Sequence, residues 1–318
     1  MTRTAPQIAG LGNPLVDVLA RIDAGGPARH GLALGEMHLV DAGAADALYA
    51  EIGPGVRQPG GSVANTIAHI ADQGVRGSFL GKVGADDLGG FFLDEMTRLG
   101  IVCPVNPATD AATGRCVVMV TPDGERTMST YLGACEALTP ADLPATLAPE
   151  TTILLVEGYH WDAPNGAANI ARAADLARAV GATVALTPSD PGCVARHLDA
   201  MRQFLHDHCG ILVGNIHELQ ALSGTADAEA AMDWARAAVG TVALTLSAEG
   251  SIVSDGGASC RIPAVPVETV VDTTGAGDAY AAGFLVALAK GAGVAQAGQE
   301  GAALAARVVT HFGARQPG

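Results

Sequence analysis

The segment Asp272-Thr-Thr-Gly-Ala-Gly-Asp278 holds the residue types best suited to chemistry on an anion. Gly275-Ala-Gly277-Asp278 follows a strand-like run, Val265 to Val271, and opens the apolar helical stretch Ala279 to Ala289. A helix that starts there points consecutive backbone N–H groups at one spot, small residues let a phosphate approach, and the helix dipole favours its charge. The plainer alternative is a strand-to-helix turn capped by Thr273, Thr274 or Asp278. A second pair, Gly60-Gly61-Ser62, precedes a helix over Ser62 to Gln73 whose next turn carries Asn65. Gly61, Ser62 and Asn65 can present amides, a hydroxyl and a carboxamide to a sugar-like ligand, or Ser62 can simply cap the helix. Asp17, inside the apolar stretch Leu15 to Leu19, is either a surface-facing strand residue or an acceptor for a diol. Asn215 and Glu218 stand three apart at a helix start, the spacing of a capping box.

Competing patterns fail on inspection. The lysines are Lys82 and Lys290, and neither completes the G-x-x-x-x-G-K-S/T phosphate loop. Gly10-Leu-Gly12 and Gly275-Ala-Gly277 lack the third glycine of a dinucleotide fingerprint, because Leu15 and Tyr280 occupy those positions. No G-x-S-x-G nucleophile elbow exists. His206-Asp-His208-Cys209 clusters metal-type side chains without a second half of tetrahedral spacing, so it reads as a solvated helix end and no zinc is assigned. Tyr159-His-Trp161 follows the strand Ile153 to Glu157, where the ends of parallel strands border a cleft.

These residues need a scaffold, and the chain supplies one. Of 318 residues 49% are hydrophobic and 16% charged, which excludes disorder and allows one large domain. From Thr151 onward apolar strands (153–156, 182–186, 211–213, 241–246) alternate with helices (164–180, 191–208, 215–222, 226–239), the pattern of a mostly parallel sheet covered on both faces. A hairpin through Asp255-Gly-Gly257 and two closing helices, Ala276 to Lys290 and Val294 to Phe312, complete that half. The first half mixes short strands with Gly- and Pro-rich turns. It suggests a small β-sheet lid built from segments within about 15–40 and 103–132, on a single domain spanning 1–318. A formal charge of -15 argues against nucleic acid or an anionic membrane as partner, so an anionic ligand must be met locally. Six cysteines without a C-x-x-C pair, and no signal-like or bilayer-length apolar run, place the protein in the cytoplasm as a soluble chain.

The chain resembles the ribokinase-type (PfkB) family of carbohydrate and nucleoside kinases nearly end to end. The carriers are Gly12-Asn-Pro-Leu-Val-Asp17, Pro59-Gly-Gly-Ser-Val-Ala-Asn65, Gly81-Lys-Val-Gly-Ala-Asp86, Asn215-Ile-His-Glu218 and, most specific, Asp272-Thr-Thr-Gly-Ala-Gly-Asp278. The resemblance implies an α/β ribokinase-like fold, its mostly parallel sheet flanked by helices and covered by a β lid. It also implies ATP-dependent phosphorylation of a hydroxymethyl group, with Mg2+ accompanying the nucleotide and room for a monovalent cation near Asp272. By it Asp278 is the catalytic base, and Gly275, Ala276 and Gly277 supply amides to the transferring phosphoryl group. Asp17, Gly61, Ser62 and Asn65 bind the acceptor. Asn215 and Glu218 organise metal and phosphates through water, Arg126 is a lid arginine aimed at the phosphates, and Thr245 and Gly250 lie on the nucleotide side. Leu246-Ser-Ala-Glu249 departs from the family there, where a glycine is usual. An Asp in the first helical turn is expected to keep an ordinary carboxylate pKa, working by alignment more than by basicity.

Within the family the chain is most similar to bacterial adenosine kinase-like members, through Gly124-Glu-Arg-Thr-Met-Ser-Thr-Tyr-Leu-Gly-Ala134, Glu157-Gly-Tyr-His-Trp161 and Ser189-Asp-Pro191. The expected reaction is transfer of the γ-phosphate of ATP to the 5′-hydroxyl of adenosine. A ribokinase- or fructokinase-like sugar kinase is the alternative, and a non-catalytic nucleotide- or sugar-binding module a further one. The expected partner is a small nucleoside or sugar, and a β lid suits a monomer or a homodimer.

Overall fold

In chain order the computed structural model, which describes residues 5–23, 25–35, 37–53, 55–122 and 126–315, begins with β1 (Gln7–Leu11), β2 (Leu15–Arg21), α1 (Gly26–Arg29), β3 (Met37–Leu39), α2 (Ala42–Ile52) and β4 (Val56–Gly60). It continues through α3 (Ser62–Asp72), β5 (Arg76–Leu80), α4 (Asp87–Arg98), β6 (Gly114–Val120) and β7 (Arg126–Tyr131). The second half holds β8 (Thr151–Glu157), α5 (Gly166–Ala179), β9 (Thr183–Thr187), α6 (Pro191–His208), β10 (Cys209–Asn215), α7 (Ile216–Ser223) and α8 (Ala228–Ala238). It closes with β11 (Thr241–Thr245), β12 (Ser251–Ser254), β13 (Cys260–Ile262), α9 (Ala276–Ala289) and α10 (Val294–Val308).

The larger sheet has the order β13-β12-β11-β10-β9-β8-β1-β5, parallel from β5 to β11, with the β12–β13 hairpin antiparallel at one edge. Successive residues of one strand feed opposite cores. Ile153 and Leu155 of β8 join the core that includes α3, α9 and α10, whereas Leu154 and Val156 join the one that includes α5 and α6. Strands buried on both faces are for this reason continuously apolar. Helix α9 is apolar around its circumference because α3 and α10 both pack on it beside the sheet.

The smaller sheet, β3-β7-β6-β2-β4, is the lid. It also uses a strand outside the two expected segments: β4 runs antiparallel to β2, with Leu15 opposite Gly60. Its sequence, Val-Arg-Gln-Pro-Gly, has no apolar alternation, and Pro59 is tolerated because β4 is an edge strand. Residues 103–113 stay out of the lid sheet, and Ala108 bridges to Gly84 instead. Val265 to Val271 is not a strand. Pro263 and Pro266 cannot donate to a ladder, and Val265, Val270 and Val271 lie exposed. Helix α10 ends at Val308 rather than Phe312, which frees the following residues to turn back toward α3. The Ala-rich α2, capped by Asp41, is a helix that apolar periodicity does not reveal.

Two carboxylates fix how the elements meet. Asp86 caps α4 through the Gly89 N–H (2.8 Å) and accepts the Thr113 hydroxyl (2.6 Å) and N–H (2.8 Å), pinning the entry to β6. Glu157, buried at the end of β8, accepts the N–H groups of Asn13 (2.8 Å) and Val63 (2.9 Å). One side chain thus holds both the β1–β2 connection and the first turn of α3. Burial pushes its pKa up to about 7 although both N–H bonds and nearby Asp278 act on it too, the former downward and the latter upward. In Glu157→Gln one backbone N–H would face an amide N–H2 instead of an acceptor, which should destabilise the fold by about 1–3 kcal/mol in urea unfolding. A change below about 0.5 kcal/mol, the size of an ordinary surface substitution, would refute that joint.

Candidate active site

Helix α9 begins at Gly275, which adopts φ +75°, a left-handed conformation glycine tolerates. A Cβ there would also lie 2.6 Å from the Ala314 Cβ. Neither Thr273, Thr274 nor Asp278 caps the helix. The Ala276 N–H turns to the Thr273 carbonyl (3.1 Å), whereas those of Gly277 and Asp278 make no hydrogen bond among the described residues. The start of α9 therefore keeps donors for an anion.

Asp272 organises this loop. Its Oδ1 accepts the Thr274 N–H (2.9 Å) and hydroxyl (2.8 Å), and its Oδ2 accepts the Gly313 N–H (2.7 Å) and pairs with Arg126 Nη2 (2.6 Å). Burial alone would raise its pKa, but these donors outweigh burial and hold it below the usual carboxylate value. Arg126 reaches the loop from β7 of the lid, donates also to the Thr274 hydroxyl, and lies 4.9 Å from the centre of the Phe312 ring. The turn before it, residues 123–125, lies outside the described residues. The lid arginine expected at the phosphates thus sits on the loop that precedes the free amides. Asp272, beside which the resemblance would place a monovalent cation, is fully engaged with these donors.

Asp278 faces away from the cap. Its Oδ1 accepts the Ser62 hydroxyl (2.6 Å) and its Oδ2 the Asn65 Nδ2 (3.1 Å). Ser62 is consequently not a helix cap: the N-cap of α3 is Gly61, at φ +94°, where a side chain would run into the Asn13 carbonyl. Burial raises the Asp278 pKa to about 6, against the pull of the Ser62 and Asn65 bonds and the nearby Arg315 charge. The ordinary value expected from the helix start is thus corrected, because desolvation exceeds the dipole effect at this depth. Asp17, on β2 of the lid, comes close enough to feel both Arg315 and Asp278, and desolvation raises it to about 7. Ser62 and Asn65 therefore meet Asp278 through hydrogen bonds, with Gly61 at the N-cap of the same helix and Asp17 of the lid within electrostatic reach.

Asn215 and Glu218 form the full capping box of α7: Glu218 N–H to Asn215 Oδ1 (3.0 Å) and Asn215 N–H to Glu218 Oε2 (3.0 Å), with Asn215 Nδ2 also on Glu218 Oε1 (2.6 Å). Glu218 is buried, and desolvation, with the charges of Asp190 and Asp278, raises it to about 7. Thr245 is the register partner of Asn215 on β11, and Gly250 closes the turn after it at φ +89°. Sequence reasoning gave no role to Glu157 or Arg315, and to Asp272 only a place beside a monovalent cation. Glu157 and Asp272 lay inside segments that carry the resemblance, while Arg315 follows an apolar helix with no pattern around it.

A profile of the pfkB family carbohydrate kinases matches residues 37–317. The adenosine kinase of Sinorhizobium meliloti is 36% identical and superposes with a TM-score of 0.92 over 98% of this chain and 96% of that one. A protein described as a probable sugar kinase from Rhizobium etli is 33% identical, with a TM-score of 0.91 over 99% and 96%. Adenosine kinase of Saccharomyces cerevisiae is 27% identical across 99% of this chain and 97% of its own length. The chain belongs to the PfkB carbohydrate kinase family: it is an ATP-dependent kinase, of a family that phosphorylates hydroxyl groups of nucleosides or sugars and uses Mg2+ with the nucleotide.

If Arg126 holds the 272–277 loop in place, Arg126→Ala should speed hydrogen exchange of that loop's amides about tenfold or more, as loss of a charge-assisted hydrogen bond entails. Unchanged exchange would separate the lid from the loop's stability.

Proposed function

We propose that the chain transfers the γ-phosphate of ATP to the 5′-hydroxyl of adenosine, with Asp278 as the base. The carrying observation is the placement of a half-buried, ionisable carboxylate in the first turn of α9, next to unpaired amides, bonded to Ser62 and Asn65 and within electrostatic reach of Asp17. The choice of adenosine is supported by the likeness to adenosine kinases of 36% and 27% identity. The sugar kinase at 33% supports the alternative of a ribose- or fructose-type acceptor.

In this reading Asp17 and Asn65 accept and donate to the acceptor's hydroxyls, and Gly61 lets its backbone come close. Asp278 receives the hydroxyl proton as the acceptor oxygen bonds to the γ-phosphorus and the bond to the leaving ADP oxygen breaks. A carboxylate with a pKa of about 6 is ionised at neutral pH yet more basic than an ordinary Asp. The amides of Gly275 and Gly277 and the α9 dipole stabilise charge on the transferring group, the expected Ala276 amide being withdrawn to the Thr273 carbonyl, and Arg126 adds a positive charge from the lid. Thr245 and Gly250 border the nucleotide. Mg2+ would neutralise phosphate charge when bound. The residues present fit it in an outer role: Asn215 and Glu218 satisfy each other and leave lone pairs for water, while no group of three or more His, Cys, Asp or Glu forms a cage among the described residues.

A panel of adenosine, other nucleosides, ribose and fructose, read by ADP release, should give the highest kcat/KM with adenosine. A higher value for ribose or fructose would move the assignment to a sugar kinase, and no release with any acceptor would favour a binding module. Asp278→Asn should lower kcat at least about a hundredfold while calorimetry still detects both ligands. Retention of more than about a tenth of the activity would remove the base role. Asp17→Asn should weaken acceptor binding by about 1.5–3 kcal/mol and leave ATP affinity nearly unchanged; equal losses for both ligands would reject its role.

A further inference from the structure

Beyond α10 the chain is fastened at consecutive residues. The Gly313 N–H donates to Asp272 Oδ2 (2.7 Å), the Ala314 carbonyl meets the His69 Nε2 of α3 (2.9 Å), and Arg315 Nε donates to Asn65 Oδ1 (2.9 Å). Ala314 also packs against the glycine that starts α9. A long, flexible side chain is thereby delivered to one side of Asn65, whose other side touches Asp278.

We propose that Arg315 is a positioning residue for phosphotransfer: it fixes which way round the Asn65 carboxamide sits and so holds Asp278 in the orientation that receives the acceptor's proton. The inference rests on the base role proposed for Asp278. The argument is one of donors and acceptors. Arginine can only donate, and an ionised carboxylate can only accept, so a carboxamide between them has a single satisfactory orientation, with Oδ1 on the arginine and Nδ2 on the carboxylate. Without Arg315 the amide could turn over, placing a carbonyl oxygen against Asp278. In the observed orientation Asn65 keeps one N–H and one lone pair for the acceptor.

The charges around this relay come from several elements. The Asp278 charge reaches Asp17 of β2, Glu157 of β8 and Glu218 of α7, raising the pKa of each, and Arg315 favours the ionised form of Asp278. Arg315 is faced by Asp17, Asp278, Asp72 of α3 and Glu95 of α4, with His69 also nearby. Its Nη2 is buried with no hydrogen-bond partner among the described residues. Surface pairing therefore does not explain the placement of Arg315, and it is the positive charge set against a cleft rich in carboxylates.

The test uses the full chain with 13C-carboxyl-labelled aspartate, the Asp278 signal being assigned by its loss in Asp278→Asn. In Arg315→Gln the Asp278 titration midpoint should rise by about half a pH unit or more, because a nearby cation favouring the ionised form has gone. The kcat with adenosine and ATP should fall about tenfold or more, with a smaller change in KM, since a reacting group has lost alignment. Arg315→Lys restores the charge but not the fixed Nε–H donor, so the midpoint should return while kcat stays at least severalfold low. A midpoint in Arg315→Gln equal to that of the wild type, or wild-type kcat in Arg315→Lys, overturns the proposal. Should Arg315→Gln fail to fold, Arg315→Lys decides by the same criteria. If the wild type does not turn over adenosine, the substrate reading has failed, and the titration still decides the relay.

Discussion

A carboxylate that is to take a proton at the right moment must be withdrawn from water without being neutralised, and those requirements oppose each other. Burial alone raises an acid's pKa by favouring the neutral form, and each neighbouring carboxylate pushes in the same direction. Desolvation raises Asp278, and its charge in turn raises Asp17, Glu157 and Glu218 around it. The Ser62 hydroxyl, the Asn65 carboxamide and the Arg315 charge hold its pKa near 6. Much of the rest of the molecule can be understood as the means of bringing those donors to that point. Glu157 fixes the turn of α3 that carries Ser62 and Asn65, and the chain beyond α10 returns to deliver Arg315.

The lid meets a related constraint. With a formal charge of -15 the protein repels the phosphates it handles unless positive potential is concentrated locally. Two features supply it from opposite sides of the cleft: the N-terminus of α9 on the main domain and Arg126 on β7. Their meeting at Asp272 and Thr274 couples lid position to the conformation of the anion-binding loop. In the proposed reaction the lid thus contributes Asp17 and Arg126.

The parallel sheet was legible in the sequence because a strand buried on both faces must be apolar throughout, and β8, β9, β10 and β11 are. The helix start within Asp272 to Asp278 was legible because small residues there lead straight into an apolar helical run, and α9 does begin after Gly275. What escaped reading depends on contacts distant in the chain. β4 carries Pro59 and no alternation, so only its pairing with β2 makes it a strand. Val265 to Val271 is apolar and β-branched but has no neighbouring strand to pair with. Asn215 and Glu218 show how one spacing supports two readings: their capping box forms in full, and the same geometry leaves lone pairs free for a hydrated ion. The helix dipole at Asp278 can be read locally, whereas the desolvation that outweighs it arises only when elements distant in the chain pack around it. Arg315 had no local signal at all.

The central claim, that a half-buried and ionised Asp278 is the base, is tested most directly by the pH dependence of kcat/KM for the preferred acceptor, which reports ionisations of the enzyme before that acceptor binds. Because the deprotonated carboxylates are the active forms, the rate should fall as pH drops first through about 7, where the acceptor-binding Asp17 titrates, and again through about 6, where Asp278 does. The residual activity of Asp278→Asn should lack that lower limb. A profile flat from about pH 5 to pH 8, or the same limb persisting in the variant, would contradict the account.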